Sequence, residues 1–300
     1  MARISDGNKI DPAEISFREL VRLMRVQRDR GQGICLFLGA GCSLSSSQND
    51  LSTAAIIRKY LAEASPGTDF SNSSDEENFR KFVNSWLSLG VKDRDSVLTR
   101  HIPPDLEPSD GYRAVARLVA AGYIKAIITT NFDNLIDKAL QRFGVDYEFY
   151  CGRQPPTNPT GKPPVVTLMK IHGGLHQCEL AFSPDAVEQL PRSVKKTVLN
   201  LSTMPLLVVG YSGQDRGVMS ALSTARSHTA FWASPNEPSR ADRARTDRIF
   251  TWLDKRVPKG DTFLHGLRYG HFDALLASVF DELESGGAPP VGLYTFHRAG

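Results

Sequence analysis

Two rhythms of apolar and polar positions alternate along the chain. Short, continuously apolar runs, of which "ICLFLG" at residues 34–39 is the cleanest, are the pattern of strands buried on both faces of a parallel sheet. The same reading places strands in "YIKAIITT", "YEFY", "VVTLMKIHG", "PLLVVGYS" and "FWAS". Between and after these, helical spacing predicts helices over residues 132–142, 185–200, 215–226, 239–254 and 271–285. Near the N-terminus, Phe17, Leu20, Val21 and Met24 share one helical face. Two starts are open to that helix, Asp11-Pro12 and a capping box from Ser16 to Glu19. "LSTAAIIRKYLAEA" reads as a further helix.

Strand and helix alternating in this way predict an α/β fold, a Rossmann-like doubly wound and mostly parallel sheet with helices on both faces. Residues 65–110 interrupt the rhythm, because the polar "SPGTDFSNSSDEEN" precedes a helical "FRKFVNSWLSL". The expected organisation is an N-terminal helical segment at 1–30 and one domain at 31–285, with a small helical insertion at about 65–110. The Gly- and Pro-rich residues 286–300 then form a linker or tail.

Charge and cysteine usage narrow the function classes. A net charge of +3 is too mild to argue for nucleic-acid binding. The densest basic stretch interleaves Arg240, Arg243, Arg245 and Arg248 with Asp242 and Asp247, as a solvated helix face does. No apolar run approaches the roughly 18–20 residues that span a bilayer, and the N-terminus has no signal-peptide core. Cys35, Cys42, Cys151 and Cys178 form no C-x-x-C pair, so neither a zinc ribbon nor a disulfide framework is indicated, and a reducing cytoplasm is expected.

In open α/β sheets ligands bind beyond the carboxyl ends of strands, so the residues that follow each strand carry the candidate chemistry. After the first comes "LGAGCSLSSS", where Gly39 and Gly41 let the backbone approach a diphosphate and Ser43 offers a donor. After the second, "TTNFDN" crowds Thr129, Thr130, Asn131 and Asp133 into one corner, more polar side chains than a helix cap needs. "KIHGGLH" sends His172 out beside two glycines, while His176 has no motif around it. "VVGYSGQDRG" places Gly210, Ser212 and Gly213 in a thin turn, with Asp215 placed to cap the next helix. In one sheet these four ends line a single crevice.

"FLGAGCS", "ITTNFD", "KIHG" and "VVGYS", in this order and spacing, resemble the sirtuin-like NAD-binding domain, and most closely the sirtuin-like domains of bacterial antiphage-defence proteins that hydrolyse NAD. The resemblance covers about residues 30–285. It implies that Gly39, Ala40, Gly41 and Ser43 form a phosphate-binding loop. It places Asn131 and Asp133 at the nicotinamide-ribose end, with Thr130 beside them, and makes His172 the catalytic histidine. Gly210 and Ser212 then contact the adenosine half, and Ser234 and Asn236 fall where the family holds adenine or its ribose. The chain departs from the deacylating sirtuins in having Thr130 where they have Gln. It has "SSSQNDLST" in place of a Gly-Ile-Pro-Asp-Phe-Arg segment, with Asp50 the nearest carboxylate, and only Cys178 where they carry two C-x-x-C zinc pairs.

The resemblance therefore implies NAD+ cleavage without a peptide acceptor. NAD+ is the substrate, no zinc or other cofactor is expected, and activity is gated by a homo-oligomer or a defence-system partner. A non-catalytic NAD or ADP-ribose sensor is the alternative, and a deacylase or ADP-ribosyltransferase stands third. A histidine, with an ordinary pKa of about 6.5, suits proton transfer near neutrality.

Overall fold

The computed structural model describes residues 12–46, 53–67, 69, 75–89, 96, 100, 102, 105–152, 154–159, 161–175, 177, 189–213, 215–224, 229–234, 263–268 and 271–285. Helix α1 (Pro12–Asp29) leads into β1 (Ile34–Leu38) and a 3₁₀ segment over Ala40–Ser46. Helices α2 (Thr53–Ala64), α3 (Asp75–Ser88) and α4 (Asp110–Ala120) precede β2 (Ile124–Thr129). Then follow α5 (Leu135–Arg142), β3 (Tyr147–Cys151), β4 (Val166–Lys170), α6 (Arg192–Leu201) and β5 (Leu206–Val209). The order closes with α7 (Arg216–Thr224), β6 (Thr229–Ser234), β7 (Phe263–Arg268) and α8 (Phe272–Ser285).

The strands form one seven-stranded sheet in the order β3-β4-β2-β1-β5-β6-β7, and every pairing in it is parallel. The expected α/β, doubly wound architecture is what the chain adopts. β1 is buried along its whole length because its two faces feed two cores. Leu36 and Leu38 join α1, α4, α5 and α8 on one side, and Cys35 and Phe37 join α6 and α7 on the other. A third apolar cluster ties α2 and α3 together through Ile56, Tyr60 and Phe82 and ends on Phe132 and Leu175. Those last two residues follow β2 and β4, so this helical cap sits on the carboxyl ends of the central strands.

Several expectations shift. α1 begins at Pro12, where proline's fixed φ and missing N–H suit the first helical position, so Ser16 falls inside the helix rather than capping it. α4 and β7 lie outside the expected elements. In α4, Tyr112, Val115, Leu118 and Val119 are all buried on one face, a helical spacing already present in the sequence. Among the described residues β7, "FLHGLR", pairs with β6 alone, and an edge strand needs no unbroken apolar run. The helix expected at 239–254 lies outside the described residues, as does the tail at 286–300. Cys151 is disulfide-bonded, so the absence of C-x-x-C spacing did not exclude a disulfide, and the reducing-compartment reading loses that support. Among the described residues no helix is long and apolar enough to cross a membrane.

Candidate functional site

The loops that leave β1 and β5 are joined backbone to backbone. Gly39 N donates to Val209 O and Gly41 N to Gly210 O, both at 2.9 Å, and Cys42 N returns to Gly39 O at 3.0 Å. No side chain fits between them: a Cβ on Gly39 would lie 2.4 Å from Gly210 O, and one on Gly210 would lie 2.7 Å from Cys42 N. Gly210 also holds a φ of +65°, open to glycine at little cost. This packing uses the N–H groups of Gly39, Gly41 and Cys42 internally, which limits what the loop offers a phosphate.

The corner after β2 is built by Thr129. Its Oγ1 donates to Leu38 O at 3.0 Å and accepts from Asn131 N at 3.0 Å, while Thr130 contributes a backbone bond to Leu38 O. The helix cap comes from neither Thr130 nor Asn131. α5 starts at Leu135, later than expected, so the side chain in reach is Asp133, whose Oδ1 accepts from Leu135 N at 3.1 Å. Asn131 turns inward, and Nδ2 donates to Gly39 O at 3.1 Å and Ser43 Oγ at 3.0 Å. Ser43 donates to Asp133 Oδ2 at 2.7 Å and meets the Tyr112 hydroxyl at 3.2 Å. Ser43, Asn131, Asp133 and Tyr112 are all buried. A cavity of ≈ 10 Å³, room for about one water, is lined by Ala40, Ser43, Asn131, Phe132 and Asp133 below and by Ile56 and Ile102 of the cap above.

Burial sets the electrostatics here. It lifts the Asp133 carboxyl above its ordinary 3.8, opposed first by the Ser43 hydrogen bond and then by the charge of Lys170. It also pushes the Tyr112 phenol and the Cys42 thiol well up, so both stay protonated. Between 3.8 and the raised value, folded Asp133 keeps a proton that the unfolded chain has lost, so its contribution to stability falls as pH rises through that window. Asp133→Asn removes this loss. The unfolding free energy of the variant minus that of the wild type should therefore increase with pH across the window and level off above it. Denaturant titrations at stepped pH measure the difference, and a flat line refutes the assignment.

Beneath the corner, Lys170 ends β4 with no exposed surface. Its Nζ donates to Asp133 O at 2.6 Å and Gln177 Oε1 at 2.7 Å, and it pairs with the buried Asp137 carboxylate at 2.6 Å. Gln177 Nε2 completes the group by donating to Asp137 Oδ1 at 2.8 Å. Main-chain bonds from Ile171 N to Thr129 O and from Leu175 N to Phe132 O, both 2.9 Å, fasten the same two loops together.

His172, two residues on, is buried and meets Asp215 through Nε2···Oδ2 at 2.6 Å. Against an ionised carboxylate Nε2 is the donor, which leaves the lone pair of the neutral ring on Nδ1. Asp215 caps α7 as expected, with Oδ1 accepting from Val218 N at 3.0 Å. Its second oxygen, the one on His172, is what the capping argument missed. The two residues follow β4 and β5, which have β2 and β1 between them, so their contact spans the crevice. Gly210 and Ser212 lie in the β5 loop beside Tyr211, whose ring packs between Phe37 and Trp232. Ser234 ends β6; Asp50, His176, Cys178 and Asn236 lie outside the described residues. Among the described residues no three His, Cys, Asp or Glu side chains gather as metal ligands would.

Residues 125–252 match the SIR2-like domain family, a span that begins in β2 and takes in the strand ends after β2, β4 and β5. The match takes in Asn131, Asp133, His172, Gly210, Ser212, Ser234 and Asn236, and not the glycine loop after β1. Among solved structures, one of a Sir2 enzyme, on the mechanism and regulation of Sir2 enzymes, is 14% identical with a TM-score of 0.48, covering 90% of this chain and 97% of that one. Sir2 with a p53 peptide and NAD+ is 18% identical with a TM-score of 0.45, covering 90% and 98%. Sir2 bound to an acetylated peptide is 18% identical with a TM-score of 0.42, covering 91% and 99%. No curated protein sequence matches the chain.

Proposed function

We propose that the chain is an NAD+ glycohydrolase that cleaves the nicotinamide–ribose bond to give nicotinamide and ADP-ribose, as the effector of a bacterial antiphage defence system. The observation that carries this reading is the corner at Asn131. A buried amide, held by Gly39 and Ser43, lines a small cavity at the ends of the central strands, within a span that matches the SIR2-like family. Water attacks the ribose carbon as the carbon–nitrogen bond breaks, its electron pair leaves with neutral nicotinamide, and His172 Nδ1 takes the proton of the water or of a ribose hydroxyl. Asp133 puts negative charge near the developing oxocarbenium ion. The loop of Gly39, Ala40, Gly41 and Ser43 passes the diphosphate as thin backbone, its Gly39 and Gly41 N–H groups and Ser43 proton being spent within the protein, with Thr130 beside the nicotinamide ribose, and Gly210, Ser212, Ser234 and Asn236 serve the adenosine half.

An always-active enzyme of this kind would deplete its own cell, so activity depends on oligomerisation or on a partner. The experiment is to incubate the chain with NAD+, alone and with candidate partners, and to quantify nicotinamide and ADP-ribose. Binding without nicotinamide release identifies a sensor, release that requires an acyl peptide identifies a deacylase, and full activity of the isolated monomer removes the gating requirement.

A further inference from the structure

Tyr112 stands on α4, outside every motif that marks the crevice. Its ring is buried edge-on against Phe272, with centroids 5.0 Å apart. Its hydroxyl lies 3.2 Å from Ser43 Oγ and 3.5 Å from Asn131 Nδ2. The direction of each hydrogen bond in this group follows by elimination. An ionised Asp133 only accepts, so Ser43 spends its single proton on Oδ2. Ser43 Oγ must then accept, from the Tyr112 hydroxyl and from Asn131 Nδ2. The carbonyl of Gly39 also only accepts, and it takes the other Nδ2 proton. Both amide protons are thereby committed and the flipped amide is excluded. Asn131 Oδ1 is left buried without a partner, on a side chain that lines the cavity at the strand ends.

We propose that Tyr112 is a positioning residue which, through Ser43, locks the Asn131 amide with Oδ1 kept for the ligand, so that the ligand group met by Asn131 is a hydrogen donor, a ribose hydroxyl or a carboxamide N–H, and not a phosphate oxygen. This rests on the NAD reading above. It adds a residue from a helix that contributes nothing else to the crevice, and it gives the amide a polarity. Tyr112→Phe keeps the ring and its packing and removes only the hydroxyl. Ser43→Ala cuts the same chain one link later.

The test is calorimetric binding of ADP-ribose to the full chain, with thermal melting as the control for folding. Tyr112→Phe should weaken binding about fivefold, the scale of one hydrogen bond, with melting little changed, and Ser43→Ala should weaken it at least as much. In an Asn131→Ala background, Tyr112→Phe should weaken binding less than about twofold further, because the amide it positions is gone. A merely structural tyrosine would lose the same factor in both backgrounds. Wild-type affinity in Tyr112→Phe, or the full loss persisting without Asn131, overturns the assignment. That binding pattern without nicotinamide release overturns only the hydrolase reading, and a wild type that binds no ADP-ribose overturns both.

Discussion

Asn131→Ala should fold and yet release nicotinamide from NAD+ at least about 10²-fold more slowly than the wild type, as expected when a preorganised dipole at the reacting centre is removed. The variant loses the two bonds that hold Gly39 O and Ser43 Oγ and the unpartnered Oδ1. The stability cost is confined to a few newly orphaned groups, about 1–3 kcal/mol, which a domain of ordinary stability survives. His172→Ala should lose about 10²- to 10⁴-fold, the range of general base assistance. Its fold is protected because Asp215 still caps α7 through its other oxygen. Chromatographic assay of nicotinamide, with circular dichroism as the folding control, measures both. Wild-type turnover in either variant sinks the mechanism.

The largest effect on stability is expected at Lys170. Lys170→Met leaves Asp137 as a buried charge with its cation gone, and it takes the donor from Asp133 O and Gln177 Oε1. Breaking one side of a buried pair costs about 3–5 kcal/mol, a large share of the roughly 5–15 kcal/mol that holds a domain folded. Adding Asp137→Leu removes the stranded charge and should recover most of the loss, since buried pairs are replaceable by well-packed apolar residues. Recovery stays incomplete because Asp133 O still lacks a donor. Urea unfolding of the single and double variants decides: a double variant no more stable than Lys170→Met refutes the ion-pair account.

What the sequence disclosed, and what it hid, follows from how local each signal is. β1 and β5 were legible because strands buried on both faces must be apolar throughout. β7 was not, because among the described residues its partner lies on one side only. Asn131 and Asp133 stood out as surplus polarity at a strand end. Tyr112 did not, because an aromatic on the buried face of an amphipathic helix reads as core, and only the tertiary position of its hydroxyl distinguishes it. Asp215 looked like a cap because one of its oxygens is one; the partner of the other arrives from a loop 43 residues away in the chain. Lys170 carried a usable signal, since a lysine inside the apolar run "VVTLMKI" is almost never fully buried unless paired. Its partner Asp137, on a helix between two other strands, was beyond a local reading.

The bond between His172 and Asp215 also governs traffic. Its ends are rooted on β4 and β5, three strand spacings or about 14 Å apart, and it closes that width with one hydrogen bond. Any group that lies across the ends of β2 and β1 must pass beneath this bar or lift it. Lifting it frees the Asp215 oxygen that meets Nε2 and leaves the other oxygen on the α7 cap.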